Sequence, residues 1–295
     1  MTERVLAPFG RRRCEVVANR ASGGYRIVSA LDREGPEPRP GQFYMLATDR
    51  WGGPGGRPYL PRAFSVAEVE RAGEGVRLDF LLEAVGPGTE ALAALREGEA
   101  LAITGPLGRP FSALGELAPT AAGAILVGGG IGIAPLALLR RELAARGVAQ
   151  RVLLGFRDRR HAGGLELFAC SPAGSPGGRA PRMSSEVRTA SEDGHTGHQG
   201  YVTDLLAVLL EGDEAAGAAV YACGPPAMLE AVRGLCAAGE VPAELAMEAP
   251  MACGFGSCFG CAVPLRGGGY LRLCVDGPVV GADRIETALV AGSGH

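Results

Sequence analysis

Four cysteines near the C-terminus, Cys253, Cys258, Cys261 and Cys274, follow the order C-x4-C-x2-C-x12-C, with glycine at 254, 256 and 260. No other feature restricts the fold as much, because thiolates that converge on one centre leave the chain between them little choice of path. The spacing suits a 2Fe-2S cluster. Such a cluster needs four thiolates and a loop that wraps the inorganic sulfurs while aiming backbone N–H groups at them. Glycine permits that approach because it lacks a Cβ and tolerates positive φ. A structural zinc site is the other all-thiolate reading, but zinc draws its ligands from two separated C-x2-4-C knuckles. Here three of the four fall within nine residues. The motif makes the chain an electron carrier.

The rest of the composition fits a reduced compartment. Met1 to Val17 holds three consecutive arginines but no apolar core of signal-peptide length, and no later stretch reaches the ~18 uninterrupted apolar residues of a membrane span. These features predict a cytoplasmic protein with no membrane partner, and a net charge of -3 argues against nucleic acid. All 29 basic residues are arginine; with 47 glycines and 21 prolines this is the signature of a GC-rich genome, so no single arginine is evidence of bidentate recognition. Cys14, Cys170 and Cys236 are isolated and read as small buried apolar residues.

Three regions are expected, α+β and α/β in class. Residues 1–118 are mostly β, with short runs at Glu15–Val17, Tyr25–Val28, Phe43–Leu46 and Arg77–Leu82 between glycine and proline turns, the pattern of a barrel. One short helix is predicted over Thr89–Arg96, capped by Thr89 and stopped by Gly98. Residues 119–245 alternate strand, glycine loop and helix: Ala124–Val127, Gly128–Gly132, Ala134–Arg146, then strands at Arg151–Gly155 and Ala218–Ala222 and a helix over Pro226–Ala238. Alternation of this kind implies a parallel sheet covered by helices on both faces. Residues 246–295 hold the cysteines and too few apolar positions for a core of their own, so they are expected to fold around the metal. The Pro/Gly-rich stretch Ser171–Ser185 reads as a surface loop.

Two glycine-rich segments stand at strand ends. Gly128-Gly129-Gly130-Ile131-Gly132-Ile133-Ala134-Pro135 follows a buried strand and opens a helix, where N–H groups can face a phosphate or a ribose. It departs from the G-x-G-x-x-G fingerprint, since Pro135 stands at the third glycine and position 150 is Gln150 rather than an acid. Cys223-Gly224-Pro225-Pro226 ends a second buried strand. Open α/β sheets bind ligands at the carboxyl ends of their strands, so the two loops describe one crevice.

Arg62-Ala63-Phe64-Ser65 resembles the R-x-[FY]-S flavin motif of the ferredoxin-NADP reductase superfamily, Gly128–Pro135 its nicotinamide-ribose loop and Cys223–Pro226 its C-G-P motif, in the same chain order. The cysteine cluster CGFGSCFGC, with Cys274-Val275-Asp276-Gly277-Pro278-Val279 after it, is similar to that of the electron transfer subunits of class 1B dihydroorotate dehydrogenases. Gly105–Gly108 and the stretch from Ser191 to Asp204 also resemble that family, and the likeness spans almost the whole chain. It implies an N-terminal FAD-binding β-barrel domain, a parallel α/β NAD-binding domain and a small C-terminal 2Fe-2S domain. Arg62 would meet the FAD pyrophosphate beside Ala63 and Phe64, Ser65 would hydrogen-bond near flavin N5, and Gly86, Gly88 and Thr89 would sit under the phosphates. Gly130 and Gly132 would let NAD lie close to the sheet, with Cys223 and Gly224 flanking the nicotinamide. Ala63 replaces a frequent proline of the flavin motif, and the stretch after Cys170 stands where the family has a helix.

Nicotinamide exchanges electrons in pairs and a 2Fe-2S cluster one at a time; a flavin does both and so connects them. Nothing in the chain looks like an orotate site with its own base, which implies a second subunit. The resemblance makes this an FMN-containing dihydroorotate dehydrogenase catalytic subunit, joined as a heterotetramer of two of each, with Met251, Phe255 and Phe259 as candidate contacts. Two other readings stay open: an FAD/2Fe-2S diaphorase subunit of a hydrogenase or sulfhydrogenase, and a redox sensor that does not turn over. Arg157, Arg159 and Arg160 leave NAD against NADP undecided.

Overall fold

The computed structural model describes residues 10–51, 60–73, 75–169, 186–212, 215–290 and 292. Cys170 and the proposed loop Ser171–Ser185 lie outside them. The chain begins with a closed barrel whose strands are β1 (Arg12–Ser22), β2 (Tyr25–Asp32), β3 (Phe43–Thr48), β4 (Arg62–Ala72), β5 (Gly75–Glu83) and β6 (Ala100–Leu107), in the order β1-β2-β5-β4-β3-β6. Helix α1 (Pro87–Ala93) interrupts them between β5 and β6. All neighbouring pairs are antiparallel, and Val16, Val28, Tyr44, Leu46, Val66, Leu78, Phe80 and Ile103 fill the interior. The four β runs expected from sequence all lie within strands of this barrel.

Helix α1 starts two residues before the expected cap. Gly86 is the N-cap, Pro87 supplies a φ already suited to the first turn, and Thr89 folds back, its Oγ1 accepting from the N–H of Val85 (2.9 Å) and of Gly86 (3.1 Å). Thr89 therefore braces the turn rather than capping it.

After the short α2 (Leu114–Leu117), the second region forms a seven-stranded sheet. Its elements are β7 (Gly123–Gly129), α3 (Ile133–Ala145), β8 (Ala149–Phe156), α4 (Glu166–Ala169), β9 (Glu186–Ser191), β10 (His198–Gln199), α5 (Val202–Glu211), β11 (Ala218–Cys223), α6 (Pro226–Ala238) and β12 (Ala243–Ala246). The order is β10-β9-β8-β7-β11-β12-β15, parallel throughout except for β15 (Val279–Gly281), which runs antiparallel to β12. Both faces are buried, as a parallel sheet requires. Ile125 and Val127 point to the side packed by Leu206 of α5 and Leu229 and Val232 of α6, while Ala124 and Leu126 point to the side packed by Leu136 and Leu139 of α3.

The cysteine region contains the hairpin β13 (Ala262–Pro264) and β14 (Tyr270–Arg272) and the single turn α7 (Leu273–Asp276). Among the described residues it has no separate core. Cys261, Val263, Leu271, Leu273, Cys274 and Ile285 join the cluster formed by the α5/α6 side of the sheet together with Phe43 and Met45 of the barrel. Cys14 and Cys236 are buried, as expected. No helix among the described residues is long and apolar enough to cross a membrane.

Candidate flavin, nicotinamide and cluster sites

A cavity of about 450 Å³ lies between barrel and sheet, within the roughly 300–1,000 Å³ of cofactor-sized pockets. It gathers Arg62, Ala63, Phe64 and Ser65 from β4, Thr89 from α1, Gly132 from the loop after β7, and Cys223 from the end of β11. Residues more than 150 positions apart thus converge because β4 faces the carboxyl ends of β7 and β11. Ser65 is fixed by registry against β3, where it pairs with Phe43, while Phe64 pairs with Tyr44. The Arg62 guanidinium donates from Nη1 to Leu60 O (2.6 Å) and lies 5.7 Å over the Trp51 ring. Gly88 leaves the room for it, since a Cβ there would sit 3.0 Å from Arg62 Nη2.

Gly86, Gly88, Gly130 and Gly224 are not among the lining residues, and the glycines of the two loops have different duties. Gly130 adopts φ +53 with nothing within 4 Å of a hypothetical Cβ, so it turns the chain beside open space. At Gly132 a Cβ would lie 2.6 Å from the carbonyl carbon of Cys223 and from Gly224 Cα. This glycine lets the two strand-end loops touch. Gly224 does the same from the other side, where a Cβ would meet Gly129 N at 3.0 Å and Met228 Cε at 2.6 Å.

Cys223 is buried, and burial, followed by the nearby Glu248 carboxylate, pushes its thiol well above the usual range. It is therefore a neutral thiol that can flank a planar ring, and it is not a thiolate nucleophile. Sequence reasoning missed Glu248 and Glu83, both in the cavity wall. Burial pushes the Glu248 carboxyl up to about 7. Its signal was available: an acid directly after the buried run Ala243–Met247 has few places to go but a cavity.

The four motif cysteines are brought together in the segment that follows the cavity wall of Met247 through Met251. Cys261 Sγ and Cys274 Sγ are 3.3 Å apart, and the Cys274 N–H points to Cys261 Sγ at 3.5 Å. Burial works against ionisation of Cys253, but the N–H groups of Cys258, Phe255 and Ser257 and the Cys258 thiol outweigh it and bring it down to about 6. Cys274 is pushed the other way, to about 12, by burial and by the Cys261 thiol. Gly254 (φ +78) and Gly256 (φ +86) give the loop the curvature that turns those N–H groups inward. Among the described residues no group of three or more Cys, His, Asp or Glu side chains is poised to hold a single metal ion. The donor set is all-thiol and lined with backbone donors, which is the chemistry an iron–sulfur cluster uses, so these residues fit the group. Of the four, Cys258 is the exposed one.

A flavin-type barrel, a nicotinamide-type sheet and an all-thiol loop together define the ferredoxin reductase class of electron-transfer proteins with an appended iron–sulfur region. The comparisons agree. Residues 126–234 match the oxidoreductase NAD-binding domain, and residues 248–286 match the iron-sulfur cluster binding domain of dihydroorotate dehydrogenase B. The structure of an NADH-dependent reduced ferredoxin-NADP oxidoreductase superposes with a TM-score of 0.74 at 23% identity, covering 94% of this chain and 91% of the other. A ferredoxin NADP+ reductase from Neisseria gonorrhoeae, with bound FAD and NADP, gives 0.58 at 16% identity over 77% and 91%. Among curated proteins, the dihydroorotate dehydrogenase B (NAD(+)) electron transfer subunit of Caldanaerobacter subterraneus subsp. tengcongensis is 31% identical, covering 93% of this chain and 98% of that protein. Its counterpart from Desulforamulus reducens is 34% identical over 81% and 84%. The chain belongs to the family of dihydroorotate dehydrogenase B (NAD(+)) electron transfer subunits. It is an NAD(P)H-linked flavin and iron–sulfur oxidoreductase subunit, and its cofactors are FAD, a 2Fe-2S cluster and NAD.

Proposed function

We propose that the chain carries electrons from dihydroorotate oxidation, released at the FMN of a catalytic subunit, through its cluster and FAD to NAD+, in the cytoplasm and in the service of pyrimidine biosynthesis. The observation that carries this reading is the single cavity shared by the flavin motif, Gly132 and Cys223, with the cysteine loop at its edge. When bound, the flavin converts one-electron traffic with the cluster into two-electron exchange with nicotinamide. The chain's own part is positional. Arg62, with Gly88 and Thr89 beside it, holds the flavin's pyrophosphate; Ser65 offers a hydroxyl to the ring; Gly130 and Gly132 shape the nicotinamide crevice; Cys223 packs as a neutral flank. Cys253, Cys258, Cys261 and Cys274 hold the cluster. Domain limits of 1–118, 119–245 and 246–295 follow these duties.

The partner docks over the cysteine loop, where Phe259 is 62% and Phe255 50% exposed on either side of Cys258, and Met251 lies nearby. Electron transfer needs close centres, and apolar residues around the exposed ligand provide an anchor for a protein interface. Two copies of each subunit form the assembly. The test mixes the purified chain with the FMN-containing catalytic subunit and follows NAD+ reduction by dihydroorotate. Activity should appear only in the mixture, at the mass of a heterotetramer; activity from this chain alone, or none from a verified complex, would defeat the assignment.

A further inference from the structure

Barrel and sheet also meet away from the cavity floor. The β1–β2 turn lies against the turn after β8: Gly24 N donates to Arg160 O (2.7 Å) and Ser22 Oγ to Gly163 O (3.1 Å). The backbones touch, since a Cβ on Gly23 would come within 2.2 Å of Arg160 O and one on Gly163 within 2.4 Å of Ser22 O. An ion pair between Arg20 and Glu166 closes the rim.

Inside this contact His161, only 7% exposed, sets its ring edge-on to Tyr25 of β2 (centroids 5.6 Å apart). Its Nδ1 lies 2.6 Å from Asp158 Oδ1, and its Nε2 lies 3.1 Å from Glu83 Oε1 and 2.9 Å from Arg157 Nη2. Glu83 ends β5 and lines the cavity. A neutral ring protonated at Nδ1 donates to Asp158 and accepts from Arg157, whose guanidinium is 3.9 Å from Glu83; a charged ring donates to both carboxylates. In either state the loop after β8 is tied to the barrel at Glu83. The tie reaches the nicotinamide crevice as well, because a Cβ on Gly164 would lie 2.4 Å from Ile133 Cδ1, within the Gly128–Pro135 segment.

An apolar side chain of similar volume would fill the space against Tyr25 without the cost of burying a polar ring. The imidazole adds a fixed direction between two domains. We propose that Glu83 and His161 are a positioning pair that holds the nicotinamide loop at its working distance from the flavin strand β4. The step they serve is passage of a hydride, two electrons with one proton, between nicotinamide and flavin; this rests on reading the cavity as the meeting place of the two rings.

The test uses the full chain loaded with FAD. In His161→Phe, which keeps the ring against Tyr25, the limiting rate of flavin bleaching by NADH should fall roughly tenfold while the apparent Kd for NADH changes less than about threefold, since small misplacements act on rate more than on binding. Hydrogen exchange of the Ser22–Tyr25 segment should quicken, because the acceptor of the Gly24 amide shifts. His161→Gln should recover most of both, and Ser22→Ala should leave the limiting rate unchanged. An unaltered rate and unaltered exchange in His161→Phe overturn the pair, as does an equal slowing by Ser22→Ala. Should His161→Phe fail to fold, Glu83→Gln decides: a roughly threefold slower limiting rate supports the pair, and an unchanged one overturns it. A wild-type chain that binds FAD but is not bleached by NADH counts against the proposed function itself.

Discussion

Ser65 stands on a strand registered residue by residue against β3 inside a closed barrel, and the segment that carries it is fixed before any cofactor arrives. Cys258 stands on a loop with no regular structure, bent through positive φ at Gly254, Gly256 and Phe259, with the Arg272 Nη1 to Gly256 O bond (2.9 Å) and the packing of Gly254 against Met45 and Leu107 among its contacts. The crevice owes its geometry to strand pairing and the fit of glycines. The cysteine loop relies on its ligands to complete it. The first site is built from side chains spaced by strand registry, and the second from thiols that face backbone N–H groups and one another.

The largest effect should come from the weaker region. Cys258→Ser removes the exposed ligand and should reduce iron and acid-labile sulfide from about two atoms each per chain to near none. Flavin content should stay close to one per chain, since the barrel strands that carry the flavin motif are held by their own pairing and by a core separate from that loop. Loss of the flavin with the cluster would break the distinction and make the two regions one folding unit; zinc in place of iron would sink the cluster assignment.

Within the crevice, Gly132 and Gly130 separate crowding from conformation. Gly132→Ala drives a Cβ into backbone at 2.6 Å and should cost about 1–3 kcal/mol of stability while slowing flavin reduction by NADH. At Gly130→Leu the Cβ would have nothing within 4 Å, so the stability cost should be chiefly that of a left-handed φ, about 1–2 kcal/mol, and the main effect should be on reduction, through a bulky side chain beside the crevice. Stopped-flow bleaching together with thermal melting resolves the two. Reduction at the wild-type rate in Gly130→Leu would move the nicotinamide elsewhere.

Much of this was legible in the sequence because the informative residues carry their chemistry locally. The cysteine spacing, the Arg62–Ser65 run and the two glycine loops announce ligands and close approaches whatever surrounds them. Glu83 and His161 were not legible, since nothing in their neighbours along the chain indicates that the end of β5 and the loop after β8 meet; Glu248 carried a signal only in its place directly after a buried run. The same limit applies to β15: a three-residue strand beyond the cysteines reads as a tail, yet it completes the sheet edge by pairing with β12. Thr89 misled for the opposite reason, because a threonine before an apolar run resembles a cap even when Gly86 and Pro87 have already begun the helix.

Phe259 tests whether the loop is shaped for a partner rather than for itself. A phenylalanine at φ +58 carries backbone strain that glycine would not, and its ring meets the Arg272 guanidinium 5.0 Å above it. Phe259→Gly should therefore change the stability of the isolated chain by less than about 1 kcal/mol, the relief of strain and the lost cation–π contact being of similar size. Affinity for the catalytic subunit should fall roughly tenfold, as for an aromatic anchor removed from an interface. Titration calorimetry against that subunit measures it, and unchanged affinity would place the docking surface off the cysteine loop.

The smallest effect concerns the point where crevice and loop join. Glu248 lies in the cavity wall five residues before Cys253, and burial lifts its carboxyl from the ordinary 4.5 to about 7. Between those values the folded chain keeps a proton that the unfolded chain has released, so this group's contribution to stability is present below about pH 4.5 and is lost as pH rises through about 7. Partial solvent access reduces the effect to about 1 kcal/mol. Glu248→Gln, neutral at every pH, should flatten this fall: its urea midpoint should match the wild type near pH 5 and exceed it at pH 8. If the crevice is fixed independently of the cluster, the same pH slope should persist when Cys258→Ser is added. A slope that disappears with the cluster would mean that the cysteine loop, and not strand β12, keeps Glu248 buried, and the contrast between a preformed crevice and a ligand-completed loop would then stop at Met247.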